Sequence, residues 1–567
     1  MENDVRTTVE ISVPDVDLPV KMLGVNEARV KCDTDGTTLF WFGSEPPGGI
    51  PTPKAFVKLT KGGNLSTYAP PWAAIAFSRT EKTAWICTDF LGLKHLFVRN
   101  FGNGIAVGPE ALKLASLGPC LIDPIAVYEL FTRGNPQGGR TLFREVNCIP
   151  PATIIRVGVS LARSVYWRFP ELKPLDAKSA IELYSRAVKT ACVRHWRPGL
   201  RQELTAGRDS MLILAALLSE GVQPRCWTHG TAEGADLLGA QQRAQYFGVS
   251  HQALYLEPLL LLDPSEAASL ALWYLNASNG LANVAEYWHL PWVLRRVDAV
   301  GSVSGVGGEV FRGFYYQWAG RGTLPTPIGR WTLIHGKLKE MMPFPHSVLA
   351  SAIVKLGERK IRSEVQCALS SKTDYWHRLD EYYLTNRMHH FAGTTFSATG
   401  RIQPVVLPLF DIDVVSCIAS VPIEIREWET GLSAAVTREC LERLGKEPLQ
   451  IHSSETKSYR LRRLAGRLRE LHGTTFHGVS RDLARLLFQA PEFRVLCNYE
   501  SLHTGELYNP RAYTTLMRRA TDACSQPMLM GAIATVEWAA RSIGSSYCGI
   551  CYEDVEYEGG DVYLRKG

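Results

Sequence analysis

The sequence predicts two domains of different fold class: an α+β domain of stacked antiparallel sheets over residues 1–170, and an α/β domain with a doubly wound parallel sheet and added helices over residues 171–567. The first expectation rests on short apolar runs separated by Gly, Pro, Ser and Asn turns. The second rests on a change to helical periodicity after Leu172, with strands then alternating with helices. A chain of 567 residues is long enough for more than one core.

Composition places the chain among ordinary globular proteins, with 46% apolar and 21% charged residues. The net charge of +6 is small and its basic residues are scattered, so no nucleic-acid partner is expected. No apolar run approaches the roughly 18 residues of a membrane span, and the polar start of the chain is unlike a signal peptide. We therefore expect a cytoplasmic protein without a membrane partner.

Cysteine usage agrees with a reducing compartment, because the 13 cysteines are mostly isolated along the chain. Cys548 and Cys551 form the one close pair. No second pair is spaced to complete a four-ligand zinc site with them. The alternatives for this pair are a redox or metal role and two incidental thiols.

The β-rich part has three predicted strands and four motifs. The strands are residues 38–42, 73–77 and 84–87. The motifs are the turn at 89–98, the helix start at 108–113, Gly-Arg-Thr-Leu-Phe within 139–146, and Ile-Pro-Pro-Ala at 149–152. In this order and spacing they resemble the N-terminal glutaminase domain of asparagine synthetases and their relatives. That resemblance implies an Ntn-hydrolase-like sandwich of antiparallel sheets.

The glutaminases of that family use a cysteine at position 2, whose own α-amine serves as the base. Position 2 here is Glu2, and the first cysteine is Cys32. A thiol inside the chain has no α-amine beside it to activate it. We expect a domain without glutaminase activity, so that the amine comes from ammonia or from the substrate itself.

The stretch from Leu204 to Ser210 predicts an anion site. Small residues in a tight turn lead directly into the apolar helix 211–218, which places free backbone N–H groups and the positive end of the helix dipole around one point. Thr205 and Ser210 add hydroxyl donors. Asp209 places a carboxylate where magnesium bridging phosphates would need one. The Gly-Lys-Ser/Thr ending of a Walker loop is missing.

This stretch resembles the pyrophosphate loop of N-type ATP pyrophosphatases, Ser-Gly-Gly-x-Asp-Ser, with Thr205 for the Ser and Ala206 for the first Gly. Gly207, Asp209 and Ser210 match directly. The resemblance implies that these residues bind the phosphates of ATP. The alternative is an ordinary loop-to-helix cap.

The elements around the loop are predicted in the order helix, strand, helix. Residues 177–188 form a helix, residues 224–229 a short strand, and a further helix runs from Asp236 to Gly248. In the resembling family the strand that carries Thr228 ends over the adenine, so Thr228 is expected to contact the nucleotide. His229, at the end of that strand, is expected in a surface loop; the alternative is a contact with the nucleotide.

A second match is the glycine-rich stretch 303–315. It resembles the family's Ser-Gly-Glu-Gly-Ala-Asp-Glu-Leu-Phe segment, with Ser304 and Gly305 following a strand at the nucleotide. Aligned without a gap, Glu309 takes the position of the magnesium Asp, and Asp209 and Glu309 are expected to hold Mg²⁺ on the leaving pyrophosphate. A one-residue slip would instead place Gly308 there. The alternative reading is a glycine-rich turn with an exposed Glu.

Val306 stands where asparagine synthetases have a Glu and β-lactam synthetases a Tyr, so the general base is unassigned.

Residues 403–422 are expected to build the core. Lys457 lies where the family has a flexible-loop lysine that stabilises charge on the adenylate, and it is our candidate for that role; the alternative is a solvated lysine. The helix around residues 536–540 is weakly similar to the terminal helix of lasso-peptide cyclases.

The sequence therefore predicts an ATP-dependent ligase that releases AMP and pyrophosphate and joins a carboxylate to an amine. The substrate would be a small-molecule or peptide carboxylate. The expected reaction is macrolactam or β-lactam formation in natural-product biosynthesis. A precursor peptide and its processing protein are candidate partners. Three alternatives stay open: asparagine synthesis from ammonia, a tRNA-modifying ATP pyrophosphatase using the two cysteines, and a non-catalytic scaffold. ATP and Mg²⁺ are the expected cofactors.

Overall fold

The structure is a computed structural model. It describes residues 9–11, 20–24, 27–62, 65–101, 104–316, 332, 334, 348–368, 375–426, 431–447, 449, 478–523, 527–550, 555–558 and 561–564.

Strands are numbered in chain order. They are β1 (Val9–Ile11), β2 (Val20–Met22), β3 (Arg29–Cys32), β4 (Thr38–Gly43), β5 (Trp72–Ser78), β6 (Thr83–Thr88), β7 (Phe97–Phe101), β8 (Gly104–Gly108), β9 (Cys120–Ile122), β10 (Asn147–Cys148), β11 (Thr153–Val157), β12 (Leu161–Val165), β13 (Leu200–Glu203), β14 (Arg225–Gly230), β15 (His251–Tyr255), β16 (Gly301–Val303), β17 (Val405–Val406), β18 (Tyr547–Ile550), β19 (Val555–Glu558) and β20 (Asp561–Leu564).

The α-helices are numbered in the same way. They are α1 (Pro53–Gly62), α2 (Ala111–Ala115), α3 (Pro124–Arg133), α4 (Ala177–His195), α5 (Arg208–Ser219), α6 (Ala235–Phe247), α7 (Pro264–Ala277), α8 (Val284–Tyr287), α9 (Leu290–Leu294), α10 (Ser351–Ala368), α11 (Tyr375–Tyr382), α12 (Gly393–Thr399), α13 (Ile412–Ser416), α14 (Leu432–Arg443), α15 (Gly478–Gln489), α16 (Pro491–Leu496), α17 (Pro510–Ala523) and α18 (Pro527–Ser542). A π-helix, Tyr383–Ala392, joins α11 to α12.

The N-terminal part consists of two packed sheets. One sheet has the order β12-β11-β6-β5-β4-β3 with antiparallel neighbours throughout. The other has the order β1-β2-β8-β7-β10 and contains one parallel pair, β2 with β8. Apolar side chains of both sheets share one buried cluster, including Met22 and Val107 from one sheet and Phe42 and Ile75 from the other. The predicted antiparallel sheets are confirmed.

The C-terminal part contains a sheet of five described strands, all parallel, in the order β15-β14-β13-β16-β17. Chain order runs outward from β13 in one direction through β14 and β15, and in the other through β16 and β17. The direction of winding therefore changes between β13 and β16, and clefts at such points open beyond the carboxyl ends of the strands. The sequence prediction of a parallel sheet is confirmed, so the chain is a mixed α/β protein.

Local signals explain the helices around this sheet. Tyr184 and Val188 share the buried face of α4, and the side chain of Asp176 accepts from the Ser179 N–H to cap its start. Helix α6 ends where Gly248 adopts a φ of 67°, a conformation that costs glycine little. The predicted helices at 177–188, 211–218 and 236–247 are confirmed.

The end of the described chain returns to the N-terminal part, since β18 pairs in parallel with β9. The boundary at residue 170 therefore stays a prediction. Among the described helices, none has the length and apolar character needed to cross a membrane.

Candidate functional site

Two predicted loops meet at the point where the parallel sheet changes direction. The turn after β13 comprises residues 204–207 and leads into α5, and the glycine-rich turn after β16 comprises residues 304–307. Because β13 and β16 are parallel neighbours, both turns leave the same edge of the sheet. The fold therefore brings together residues that are about a hundred positions apart in sequence.

Gly305 is the point of closest approach. A Cβ on Gly305 would lie 2.8 Å from the backbone nitrogen of Ser210, so only glycine lets the two backbones touch. The neighbouring Ser304 is anchored by its N–H, which donates to Val406 O at 3.0 Å. Ser304 and Gly305 follow β16, as the sequence predicted, and their contact with a nucleotide stays a prediction.

The start of α5 has the character of an anion site. Gly207 is the cap residue and no side chain caps the helix. The Ala206 N–H donates to the carboxylate of Asp236 at 3.2 Å, so an anionic oxygen already lies at the turn. This donor and the positive end of the α5 dipole fit the oxygen of a phosphate group.

The two predicted hydroxyl groups hold the turn in shape. Thr205 Oγ1 lies 3.0 Å from Ser210 Oγ and accepts the Gly207 N–H at 3.0 Å. From the other side, Arg243 donates to the carbonyl oxygens of Thr205 and Gly207, the latter at 2.6 Å. As described, the hydroxyls bind the loop itself, and a phosphate contact by them stays a prediction.

Asp209 is paired with an arginine that the sequence reasoning did not consider. Arg312 donates to both carboxylate oxygens, one of them at 2.9 Å, and the two side chains are only 5% and 13% exposed. Burial raises the pKa of Asp209 to about 6; Arg312 opposes this rise and the nearby Glu309 adds to it. This is a bidentate pair of the kind that arginine forms preferentially with carboxylates.

Glu309 lies close enough to influence Asp209, but its own hydrogen bonds point elsewhere. One Glu309 oxygen accepts from the Gly307 N–H at 3.2 Å and from the Tyr383 hydroxyl at 3.1 Å. The residue directly against Asp209 is Gly308, since a Cβ there would overlap the carboxylate. The residue that faces Asp209 is therefore Gly308, which takes the position of the magnesium Asp when the alignment is shifted by one residue.

In this arrangement Arg312, and not Glu309, is the hydrogen-bond partner of Asp209, and the magnesium site predicted at Asp209 and Glu309 stays a prediction. Both Asp209 oxygens are bound by Arg312, and Mg²⁺ requires oxygen ligands at about 2.0–2.1 Å in near-octahedral geometry. The positive charge at this carboxylate comes from Arg312.

The strand that carries Thr228 and His229 is as predicted, but the surroundings of the two side chains differ from expectation. The Thr228 hydroxyl donates to Leu204 O and lies 2.9 Å from His251 Nε2, and the residue is buried, so its nucleotide contact stays a prediction. His229 is not in a surface loop. It is the fifth residue of β14, stacks on Trp227 at 5.8 Å, and has a pKa lowered by burial. The predicted strand at 224–229 matches β14, and His229 lies within it with its ring packed on Trp227.

Two residues at this edge were missed. Glu203 ends β13 directly before the loop, and burial raises its pKa to about 7 against a hydrogen bond from Ser304. Tyr383, in the π-helix, has a pKa raised well above its usual range by burial and by Glu309. The signal for Glu203 was available, because a central parallel strand that reads Leu-Arg-Gln-Glu is unusually polar. Tyr383 had no sequence signal.

Two earlier candidates lie outside the described residues, namely Lys457 and Cys551. Cys548 is described and is exposed on β18. Val306 packs against the main core, which agrees with a valine that takes no part in proton transfer.

Comparison with known proteins found no matching family model and no matching curated protein. Among solved structures, NMN synthetase from Francisella tularensis aligns with 38% of this chain and 95% of its own, at 13% identity and a TM-score of 0.19. A superposition with so low a TM-score carries no argument about fold or function. The class defined by the described residues is a mixed α/β protein with antiparallel sheets and a parallel sheet, at whose edge two glycine-containing turns meet.

Proposed function

We propose that this protein is an ATP-dependent carbon–nitrogen ligase related to asparagine synthetases, with an Ntn-hydrolase-like N-terminal domain and an ATP-pyrophosphatase domain. It would adenylate a carboxylate with release of pyrophosphate and then join the acyl group to an amine with release of AMP. The N-terminal domain would act without glutaminase chemistry.

The observation that carries this proposal is the meeting of the two turns at the β13–β16 edge. An ATP pyrophosphatase must hold a pyrophosphate against backbone N–H groups and leave the α-phosphate open to a carboxylate. The Ala206 N–H, which holds a carboxylate oxygen, and the start of α5 supply an anion site of that kind. The contact of Gly305 with the Ser210 backbone excludes side chains from the same place.

The residue roles are part of the proposal. Ala206 would bind a phosphate oxygen in place of the Asp236 carboxylate, and Gly207 would bind one in place of Thr205 Oγ1. Arg312 would supply positive charge beside them. Lys457 is retained as the residue that stabilises the acyl-adenylate. Mg²⁺ would accompany ATP as its counter-ion, and no step is assigned to it because Arg312 occupies Asp209.

Glu203 is the residue we assign to proton removal from the attacking amine. A general base works best when its pKa lies near the working pH, and burial raises the pKa of Glu203 to about 7. Tyr383 cannot serve as the base because its raised pKa keeps the phenol protonated. It would instead orient Glu309 through their hydrogen bond.

The substrate would be a small-molecule or peptide carboxylate, with macrolactam or β-lactam formation as the reaction type. Val306 argues against simple asparagine synthesis, because a valine cannot take the role of the synthetase Glu; it also lacks the lactam-forming Tyr, so the base must lie elsewhere. Simple asparagine synthesis from ammonia is the lesser possibility.

ATP–pyrophosphate exchange with a panel of carboxylates tests the proposal. Wild type should exchange label only when a carboxylate is present. The exchange rate of Asp209→Asn should be at least tenfold lower than that of wild type, because Arg312 is then no longer held beside the phosphates. The matched control is Asp413→Asn, an exposed carboxylate on α13 with a side chain 56% exposed, which should exchange like wild type. No exchange under any condition, with no ATP binding by calorimetry, would refute the ligase.

One observation favours a second candidate function, a non-catalytic scaffold. Arg312 forms an ion pair with Asp209, the carboxylate that was expected to bind a metal. The two candidates differ in nucleotide binding. Calorimetry with ATP and with a non-hydrolysable analogue should give saturable binding for the ligase and no heat for the scaffold.

A further inference from the structure

A cluster of metal-ligating side chains lies away from the two turns, between the N-terminal sheets and the π-helix. His95 comes directly before Leu96 and β7, Cys148 ends β10, and His389 belongs to the π-helix. Each offers one ligand atom, and the three atoms lie within 4.8 Å of one another. All three residues are at most 2% exposed, so the cluster is enclosed.

The tautomer of His389 presents a lone pair to the cluster. Its Nδ1 lies 2.7 Å from Gly92 O, and because a carbonyl can only accept, Nδ1 carries the proton. Nε2 is then unprotonated, and it lies 3.7 Å from Cys148 Sγ. A ligating histidine whose other nitrogen donates to a backbone carbonyl is the usual outer-shell arrangement of metal sites.

His95 is positioned in a similar way. Its Nε2 lies 2.8 Å from His389 O and therefore donates to that carbonyl, which leaves Nδ1 with the lone pair. Its backbone N–H donates to Ser397 Oγ at 2.9 Å. Each ring then has one protonated nitrogen and one free lone pair, which is the neutral form that binds metals.

Two glycines make room for the rings. A Cβ on Gly92 would lie 2.6 Å from His389 Nδ1, and a Cβ on Gly393 would lie 2.7 Å from His95 Nε2. The backbone that carries His389 is a π-helix, a form that is rare in proteins and frequent at functional sites. Both features lie where the three ligands converge.

We propose that His95, Cys148 and His389 bind one divalent transition-metal ion, Zn²⁺ by preference, that joins the N-terminal sheets to the π-helix. Nitrogen and thiolate ligands are those zinc prefers, at about 2.0–2.1 Å and 2.3 Å respectively. Ligand atoms around such an ion lie about 3.3–3.8 Å apart, so the three side chains need to close by about 1 Å. Binding forms one Zn–S and two Zn–N bonds and releases the Cys148 thiol proton to solvent.

The ion would have a structural consequence. Its ligands come from three segments separated by 53 and 241 residues, so the bound ion would cross-link parts of the chain that are far apart in sequence. The proposal is independent of the ATP site, and its test does not use ligase activity.

The test is metal content of the full-length protein, purified without chelators and incubated with Zn²⁺, with cobalt as a spectroscopic probe. We expect about one equivalent of zinc per chain, and a thiolate-to-cobalt charge-transfer band when Co²⁺ replaces it. Cys148→Ser should lose the band and retain less than a tenth of an equivalent. His389→Gln should lose at least tenfold in zinc affinity.

The matched controls are Cys87→Ser and His377→Gln, both buried and outside the cluster. They should keep the wild-type zinc content and the cobalt band. Circular dichroism in the presence of chelator shows whether each variant is folded. If Cys148→Ser or His389→Gln is misfolded, the other, folded variant tests the proposal. Wild type without stoichiometric zinc or a cobalt band would overturn the proposal, as would Cys148→Ser that binds like wild type.

Discussion

Replacement of Arg312 by methionine is the most informative perturbation of the phosphate-loop region. Methionine keeps an unbranched chain in the buried position but removes the charge that pairs with Asp209. Asp209 would then be 13% exposed, near Glu309 and without a counter-charge. Removing one partner of a buried pair is destabilising because the other charge is left uncompensated.

The magnitude is set by the proton that Asp209 can take up. The cost of an unpaired carboxylate cannot exceed the cost of protonating it, which from the unshifted value of 3.8 is about 5 kcal/mol at pH 7.5. With its pKa at about 6, Asp209 in wild type already costs about 3 kcal/mol at that pH. Arg312→Met should therefore lose at most about 2 kcal/mol at pH 7.5 through this charge.

The sign of the pH dependence follows. A carboxyl whose pKa is raised on folding binds more protons in the folded state, so its unfavourable contribution grows as pH rises through the window between the two values. In Arg312→Met the pKa of Asp209 in the folded state lies above 6, so the pH range over which this carboxyl group lowers stability extends to higher pH. At pH 5 Asp209 is protonated in both proteins, and the difference in free energy of unfolding should approach zero.

The assay is urea unfolding followed by tryptophan fluorescence at pH 5 and pH 7.5, with Asp209→Asn and the double variant completing a cycle. The coupling between the two positions should be about 2 kcal/mol at pH 7.5 and small at pH 5. Arg443→Met is the matched control, because its pair with Glu220 is on the surface and should be worth less than about 1 kcal/mol at both pH values. An equal loss at both pH values would refute the reasoning, as would an additive cycle.

Three further predictions concern the same edge of the sheet. Gly305→Ala would place a methyl group 2.8 Å from Ser210 N and should abolish ATP binding measured by calorimetry, whereas Gly62→Ala, with no atom within 4 Å, should bind like wild type. Glu203→Gln should lower amide formation at least a hundredfold while ATP–pyrophosphate exchange persists, and should remove the rise in wild-type rate near pH 7; an unchanged pH profile would exclude Glu203 as the base. Lys457→Met should slow exchange at saturating ATP with little change in ATP affinity, and a loss of affinity alone would contradict its proposed role.

Much of the fold could be predicted from the sequence because its signals are local. Apolar runs between turn residues predicted β4, β5 and β6, and helical periodicity predicted α4, α5 and α6. Gly248, in the left-handed conformation at the end of α6, is a local stop signal of the same kind. The antiparallel sheets followed by a parallel sheet are confirmed, whereas the assignment to a particular family stays a proposal.

The candidate site was predictable only as separate pieces. The turns containing Asp209 and Glu309 were identified, but a linear pattern does not say which side chain faces which. Arg312 pairs with Asp209 because one turn of helix after Gly308 brings it back over the loop. That contact has no local signal in the sequence, and the magnesium site predicted at the same carboxylate stays a prediction.

The sequence by itself determined the order of strands and helices, the position of the two glycine-containing turns and the types of residue they carry, because these depend on neighbours within a few positions. Only the tertiary structure decided that Arg312 neutralises Asp209, that burial raises the pKa of Glu203, and that His95, Cys148 and His389 meet. Ion pairs, desolvation and ligand geometry depend on distances between segments up to 294 residues apart, and these distances exist only after the chain has folded.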